Sequence, residues 1–310
     1  MTRASAPGKF ILFGEHAVVY GQPAIAFPLH QLRAAAQINV IPDAPHGCVR
    51  IHAPDIDYQT WLHEADEEDP LRKIVQLTLE EIRAQSFPAF EMQVSSEIPV
   101  SSGLGSGAAV STAIVRALSQ HFEHPLELER QSELVYEVEK IHHGTPSGID
   151  NTVIVYNRPI FYIRGCQPEY LEISGELTFI LADTNLPSNT GMIVGNVRKA
   201  WEQDRPTFDT LFREIGQVTE RAKSAIAAGD VKSIGMLMDE NQELLEQLGV
   251  SSETISVLLA TARDHGAYGA KLSGAGVGGI IITLVQTSAS TRIVNALHDA
   301  GAIWTGVTKV

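Results

Sequence analysis

The sequence predicts an α+β protein of two subdomains, and three observations lead there. Its 310 residues exceed the roughly 150 expected of one domain. Segments with strand and helix periodicity are mixed without a regular β–α–β alternation, which disfavours a single large parallel sheet. Composition changes after about Asn157, where a long helix-rich stretch begins. The chain is therefore read as two halves, 1–160 and 161–310, with the boundary in the region 155–170.

Taken in order, Phe10 to Phe13 and Ala24 to Leu29 read as strands, separated by Gly-Glu-His and Gly-Gln-Pro. Ala34 to Ile41 and Cys48 to Ala53 read as further strands. The acidic run Glu64 to Asp69 is a solvated loop that leads into a helix over Leu71 to Ala84. Phe90 to Ser96 alternates as a strand. Ser106 to Phe122 carries Val110, Ala113, Ile114, Ala117 and Leu118 at helical spacing, and Glu127 to Ile141 is a second helix. Thr178 to Asp183 is an apolar strand. The region 207–265 is helical, with breaks at Gly229-Asp230 and at Gly249. Ala270 to Val285 reads as a glycine turn followed by a strand, Thr287 to Gly301 as a helix, and Ile303 to Val310 as a closing strand.

Composition excludes several functions. A formal net charge of −14 with no basic stripe argues against nucleic acid and against anionic membranes. No apolar run approaches the ~18 residues of a membrane span. The opening Met-Thr-Arg-Ala-Ser-Ala-Pro-Gly-Lys lacks the apolar core of a secretory signal, so a cytoplasmic location is expected. The two cysteines, Cys48 and Cys166, have no CxxC spacing and predict neither a zinc site nor a disulfide framework. An anion bound by such an acidic chain must be held by local dipoles and one or two placed cations, which points to a small molecule.

Two segments carry that chemistry. In Ile98-Pro-Val-Ser-Ser-Gly-Leu-Gly-Ser-Gly-Ala-Ala-Val110, glycines at 103, 105 and 107 free the backbone so that successive N–H groups converge just where a helix begins. Pro99, Val100, Ser101, Ser102, Gly103, Leu104, Gly105, Ser106, Gly107, Ala108 and Ala109 are the expected nucleotide-binding residues. The dinucleotide pattern GxGxx[GA] also occurs here and again at Gly274, Gly276 and Gly279. The second copy leads into a strand where a Rossmann unit needs a helix, and the first has no strand presenting an acid to a ribose. The second glycine segment, Lys271-Leu-Ser-Gly-Ala-Gly-Val-Gly-Gly279, is placed between helix and strand. It is either a tightly packed loop or a partner that faces the first loop.

The other segment is Glu139-Lys-Ile-His-His-Gly-Thr-Pro-Ser-Gly-Ile-Asp150-Asn, which starts on a helix and ends in a Gly/Pro/Ser loop expected to deliver Asp150 at a strand entrance. Phosphoryl transfer requires a phosphate cradle, a magnesium ion, positive charge on the transferring group and a carboxylate beside the attacking hydroxyl. Asp150 suits the carboxylate role and Glu139 the metal. Lys9 is expected beside Asp150, holding it ionised and stabilising developing negative charge. His142 and His143 lack the second helix copy that a di-metal carboxylate motif requires.

Together these segments resemble the GHMP kinase superfamily over nearly the whole chain. The opening Ala6-Pro-Gly-Lys-Phe-Ile-Leu-Phe-Gly-Glu-His-Ala-Val-Val-Tyr-Gly21 is similar to the branch that phosphorylates mevalonate, as are residues 143–151 and the run from Asp183 to Thr190. Lys271-Leu-Ser-Gly-Ala-Gly matches the superfamily's third motif. The resemblance implies an N-terminal domain like ribosomal protein S5 domain 2 and a C-terminal ferredoxin-like domain. It also implies ATP and Mg2+ as cofactors and transfer of the γ-phosphate to the C5 hydroxyl of mevalonate. By position it makes Asp150 and Lys9 catalytic, Glu139 a metal ligand with Ser106, and His16, Glu15 and Thr190 substrate-binding. A phosphorylated acceptor of the same superfamily is the alternative. The implied partner is a small molecule, with neither nucleic acid nor membrane, and a homodimer is compatible with the reading. The chain departs from the family's loop in having Gly107 where a second metal-binding serine is usual, and from the third motif in having Val277 for a glycine.

Overall fold

The computed structural model describes residues 1–99, 102–143 and 146–310. The chain divides into two compact units. The first comprises Met1–Gly8, Pro28–Pro99 and Gly105–Asn157, and the second Lys9–Phe27, Val100–Leu104 and Arg158–Val310.

Two long strands, β1 (Thr2–Phe13) and β2 (Ala24–Val40), pair with each other, and each contributes to both units. In the first unit, β2 pairs antiparallel with β5 (Phe90–Ser96) from Ala34↔Ser96 to Val40↔Phe90. Strand β3 (Val49–Ala53) runs parallel to β5, and β4 (Tyr58–Trp61) closes the edge antiparallel to β3. Four helices belong to this unit: α1 (Pro70–Glu81), α2 (Ser106–His121), α3 (Leu128–His143) and α4 (Ile149–Tyr156). Helix α1 starts at Pro70 because Asp69 caps it, accepting from the N–H of Leu71 and Arg72, while Pro70 has no N–H to lose. Helix α2 is buried along nearly its whole length and packs against α1, α3 and α4. Its small residues Ala108, Ala109, Ala113 and Ala117, all at most 1 % exposed, permit that close approach.

The second unit contains β6 (Ile160–Tyr162), β7 (Glu169–Tyr170), β8 (Thr178–Asp183), α5 (Thr190–Gln203), α6 (Arg205–Ala228), α7 (Val231–Gln247), α8 (Glu253–Asp264), β9 (Gly269–Ser273), β10 (Ile280–Val285), α9 (Ser290–Asp299) and β11 (Trp304–Lys309). Its four-stranded sheet has the order β11-β8-β10-β9 with every neighbouring pair antiparallel. In chain order that is 4-1-3-2 with helices after the first and third strands, the split β-α-β arrangement of a ferredoxin-like domain. Phe10, Phe27 and Phe179 are all fully buried here; Phe10 stacks on Phe27 with ring centroids 5.4 Å apart and meets Phe179 at 5.5 Å. This cluster ties Lys9–Phe27 to the core of the second unit. Side chains alternate along a strand, so it also fixes the face that Lys9 presents.

Two expectations are corrected. Ala24–Leu29 and Ala34–Ile41 form one continuous strand, because the polar stretch between them is an exposed part of β2 and not a turn. Asp150 stands at no strand entrance: it lies in the first turn of α4. The run Thr152-Val-Ile-Val reads as a strand from its β-branched residues, yet packing on α2 and α3 decides for helix.

Candidate active site

In the first unit, Gly105 is the cap residue of α2, with φ 76° and no side chain bonding the first-turn amides. Helices α1, α5, α6, α7 and α8 are each closed by a side chain, those of Asp69, Asn189, Asp204, Asp230 and Ser252. Among the described residues no side chain caps α2, so its first-turn amides, which lack intrahelical partners, and the positive end of the dipole are available to an anion. Gly103 and Gly105 need their positive φ of 82° and 76° to shape the turn. Gly107 is different: it sits in the helix, exposed, outside the set of left-handed residues. Glycine at 107 is thus not demanded by the turn, and a serine there would fit the backbone. Ser106 Oγ lies 3.4 Å from Ser96 Oγ. Pro99 is half-buried and Ala108 and Ala109 are buried, whereas Val100 and Ser101 lie outside the described residues.

Glu139 is on α3 and only 4 % exposed. Asp150 is half-buried in the first turn of α4, where a carboxylate complements the helix's positive end. The turn before it is set by Gly148 at φ 88°. It is locked by Thr152, whose Oγ1 donates to Gly148 O at 2.6 Å, and by Asn151, whose Nδ2 donates to Ser132 Oγ at 2.8 Å. Helices α2, α3 and α4 pack on one another, so Ser106, Glu139 and Asp150 come from one helical layer. Among the described residues no cluster of three His, Cys, Asp or Glu side chains could hold a metal alone. That suits a magnesium ion that keeps waters and phosphate oxygens and takes one or two protein ligands.

In the second unit, Lys9 is 3 % exposed, and its backbone N–H donates to Leu104 O at 2.9 Å, which seats β1 beside the glycine loop. Ser273 stitches the same strand to β9, with Oγ accepting from Ile11 N at 3.1 Å and donating to Ile11 O at 2.9 Å. A Cβ on Gly103 would come 3.9 Å from Ser273 O, and one on Gly279 3.1 Å from Ser102 O, so the two glycine segments abut. Lys271 is in β9 and the glycines follow as the β9–β10 turn, which corrects the expected position between helix and strand. The tight-packing reading of that segment has direct support. Gly276 and Gly278 are glycine for packing, since a Cβ would meet Val250 O at 2.1 Å and Leu186 O at 2.4 Å.

The side chain of Lys271 forms an ion pair with Glu15 in which both side chains have no exposure. Lys271 Nζ also donates to Leu272 O at 2.6 Å, and Asn241 Nδ2 reaches Glu15 Oε2 at 3.4 Å. Burial raises the Glu15 pKa and lowers that of Lys271, and the attraction between the two opposes each shift. His16 follows in a γ-turn, with φ 59°, ψ −50° and the N–H of Ala17 donating to Glu15 O at 2.6 Å. That backbone is rare and strained, as functional positions often are. Burial lowers the His16 pKa, so the ring is neutral near pH 7. Its Nε2 lies 2.9 Å from Ala275 O, which can only accept, so Nε2 carries the proton and Nδ1 the lone pair. Thr190 opens α5, half-buried, behind an Asn189 cap that accepts from Met192 N at 3.0 Å. Sequence reasoning missed Asn241 and Gln242; a polar pair breaking the apolar face of α7 was the available signal.

Val277 takes the glycine's place at φ 62° with its side chain 41 % exposed. A β-branched residue held left-handed costs about 1–2 kcal/mol, against roughly 0.5–1 kcal/mol of extra chain entropy for glycine. Val277→Gly should therefore stabilise the chain by about 0.5–1 kcal/mol, read as a rise in thermal midpoint. A fall would show that contacts of the valine outweigh its strain.

In the first unit, a glycine segment before an uncapped helix, the buried Glu139 and the helix-start Asp150 are parts of the kind that a small-molecule kinase requires, and the second unit has the ferredoxin-like strand order. The matches to known proteins agree. The N-terminal domain model of the GHMP kinases covers residues 71–158 and the C-terminal model residues 222–303. The chain belongs to the GHMP kinase family. The mevalonate kinases of Thermococcus sibiricus and Pyrococcus furiosus are each 34% identical to it, over 97% and 96% of this chain and 93% of theirs. Among solved structures, the L. major mevalonate kinase in complex with R-mevalonate superposes with a TM-score of 0.84 at 29% identity, covering 100% of this chain and 96% of that one. The Methanococcus jannaschii mevalonate kinase gives 0.83 at 25% identity, with 99% and 96% covered.

Proposed function

We propose that the chain is a mevalonate kinase, transferring the γ-phosphate of ATP to the C5 hydroxyl of mevalonate to give 5-phosphomevalonate for isoprenoid synthesis. The observation that carries this reading is 34% identity to mevalonate kinases along nearly the full length, and the uncapped α2 start with the helix-borne Glu139 and Asp150 of the first unit supports it. In it the free first-turn amides of α2, from Ser106 to Ala108, bind the nucleotide phosphates within the segment Pro99 to Ala109. Glu139, with Ser106, would hold the magnesium ion, which would supply positive charge against the phosphates. Asp150 orients and deprotonates the acceptor hydroxyl, and Lys9 supplies positive charge as negative charge moves. His16 and Thr190 meet the acceptor, Nδ1 of His16 accepting a hydrogen bond, and Glu15 supports them by holding the γ-turn. The proposed domains are the halves 1–160 and 161–310, except that Lys9–Phe27 and Val100–Leu104 cluster with the second. No helix among the described residues is long and apolar enough to cross a membrane. The proposed setting is cytoplasmic, free of nucleic acid, with a homodimer as the candidate assembly.

ADP release measured in parallel with R-mevalonate, 5-phosphomevalonate, galactose and homoserine tests this reading. Mevalonate should give the highest kcat/KM by at least about tenfold. Preference for the phosphorylated acceptor would move the chain to a neighbouring branch of the family.

A further inference from the structure

Three arginines, Arg3 on β1, Arg33 on β2 and Arg116 on α2, line a groove of about 580 Å³ that lies wholly within the first unit. In a chain of net charge −14 this is a local excess of cations, with Glu97 the one acidic side chain on the lining. The rest of the lining is Ser5, Ser95 and Gln120 with the small apolar Ala4 and Ala35. Two of the guanidinium groups converge on one residue: Arg33 Nε and Nη2 donate to Ser5 Oγ at 3.2 and 3.0 Å, and Arg116 Nη1 donates to Ser5 O at 3.1 Å. Arg116 Nη2 is held by Val155 O at 2.8 Å. Among the described residues their partners are neutral oxygens, and Glu97 takes the backbone N–H of Arg33, at 3.3 Å, in place of its guanidinium. Half-burial and the like charge of Arg33 both lower the proton affinity of Arg116. Cations gathered this way repel one another until an anion joins them.

We propose that this groove is a second anion site, separate from the glycine loop, that takes a phosphate-bearing small molecule. Guanidinium forks match phosphate oxygens two at a time, so a tetrahedral dianion can satisfy more than one arginine at once. The volume exceeds what a phosphate fills and leaves room for an organic part. Arg116 stands ten residues after Ser106 on one helix, about 15 Å along its axis, so an occupant does not touch a nucleotide held at the helix start.

The test titrates inorganic phosphate calorimetrically into the full chain, its nucleotide site filled with magnesium and a non-hydrolysable ATP analogue. Ionic strength is fixed with chloride. Saturable binding is expected, weakened roughly tenfold or more in Arg3→Ala/Arg33→Ala, a substitution that spares the structural bonds of Arg116. Glu97→Gln should tighten binding several-fold, a gain that misfolding cannot imitate. Absence of saturable binding in the parent, or equal binding in the parent and both variants, would overturn the site. Citrate binding more tightly than phosphate would overturn the phosphate assignment.

Discussion

Asp150→Asn is expected to lower kcat by about 10²-fold or more while leaving ATP affinity nearly unchanged. The amide keeps the shape of the carboxylate and the N-terminal turn of α4, whose geometry rests on Gly148, Asn151 and Thr152 and not on the side chain of residue 150. What is lost is the negative charge that, in the proposed reaction, accepts the proton of the attacking hydroxyl. The split between kcat and nucleotide affinity separates this role from a structural one, because a collapsed helix start would weaken ATP binding as well. A variant within tenfold of the parent in kcat would remove Asp150 from the reaction.

Lys271→Met carries the largest expected effect on stability. The Glu15–Lys271 pair is fully buried, and removing one member strands the other charge in a low-dielectric interior at a cost of about 3–5 kcal/mol. The thermal midpoint should fall by on the order of 10 °C. The loss should also depend on pH. Burial already raises the Glu15 pKa, and without the lysine it rises further, so the folded variant binds a proton more tightly than the unfolded chain. A group shifted upward stabilises below its folded pKa and loses that contribution as pH rises through it. The deficit relative to the parent should therefore be smaller at pH 5 than at pH 8. A deficit independent of pH would mean that Glu15 is not the stranded charge.

The parts of the fold legible in the sequence were those with a local physical cause. Phe90–Ser96 alternates and Thr178–Asp183 is a short apolar run between turn residues, and both are strands with the bounds read from sequence. Breaks at Gly229 and Gly249 are left-handed helix ends, at φ 68° and 74°. Helix α5 escaped because Gly191 and Gly195 lower its propensity, although its Asn189 cap was in plain view. The strands β4, β6 and β7, of two to four residues, are too short for periodicity to register. Helix α4 stands where a strand entrance was expected after Asp150, since Thr152-Val-Ile-Val is rich in β-branched residues that favour strands. The candidate site enters as motifs, since glycines before a helix and a carboxylate after a Gly/Pro/Ser turn stand in local order. Its long-range ties were not legible. Glu15 and Lys271 are 256 residues apart, and Ile11 and Ser273 are 262 apart. Nothing in the neighbourhood of either member announces the other.

The central claim, transfer of a phosphoryl group to the primary hydroxyl of mevalonate, is tested most directly by phosphorus NMR of the product made from R-mevalonate and ATP. Phosphate on C5 sits next to a CH2 group, so its signal, recorded without proton decoupling, should appear as a triplet, and should grow in step with ADP. A singlet would place the phosphate on the tertiary C3 hydroxyl. An ADP signal with no new phosphate ester would show that the acceptor is water. Either result would contradict the assignment of Asp150 as the base for the C5 hydroxyl.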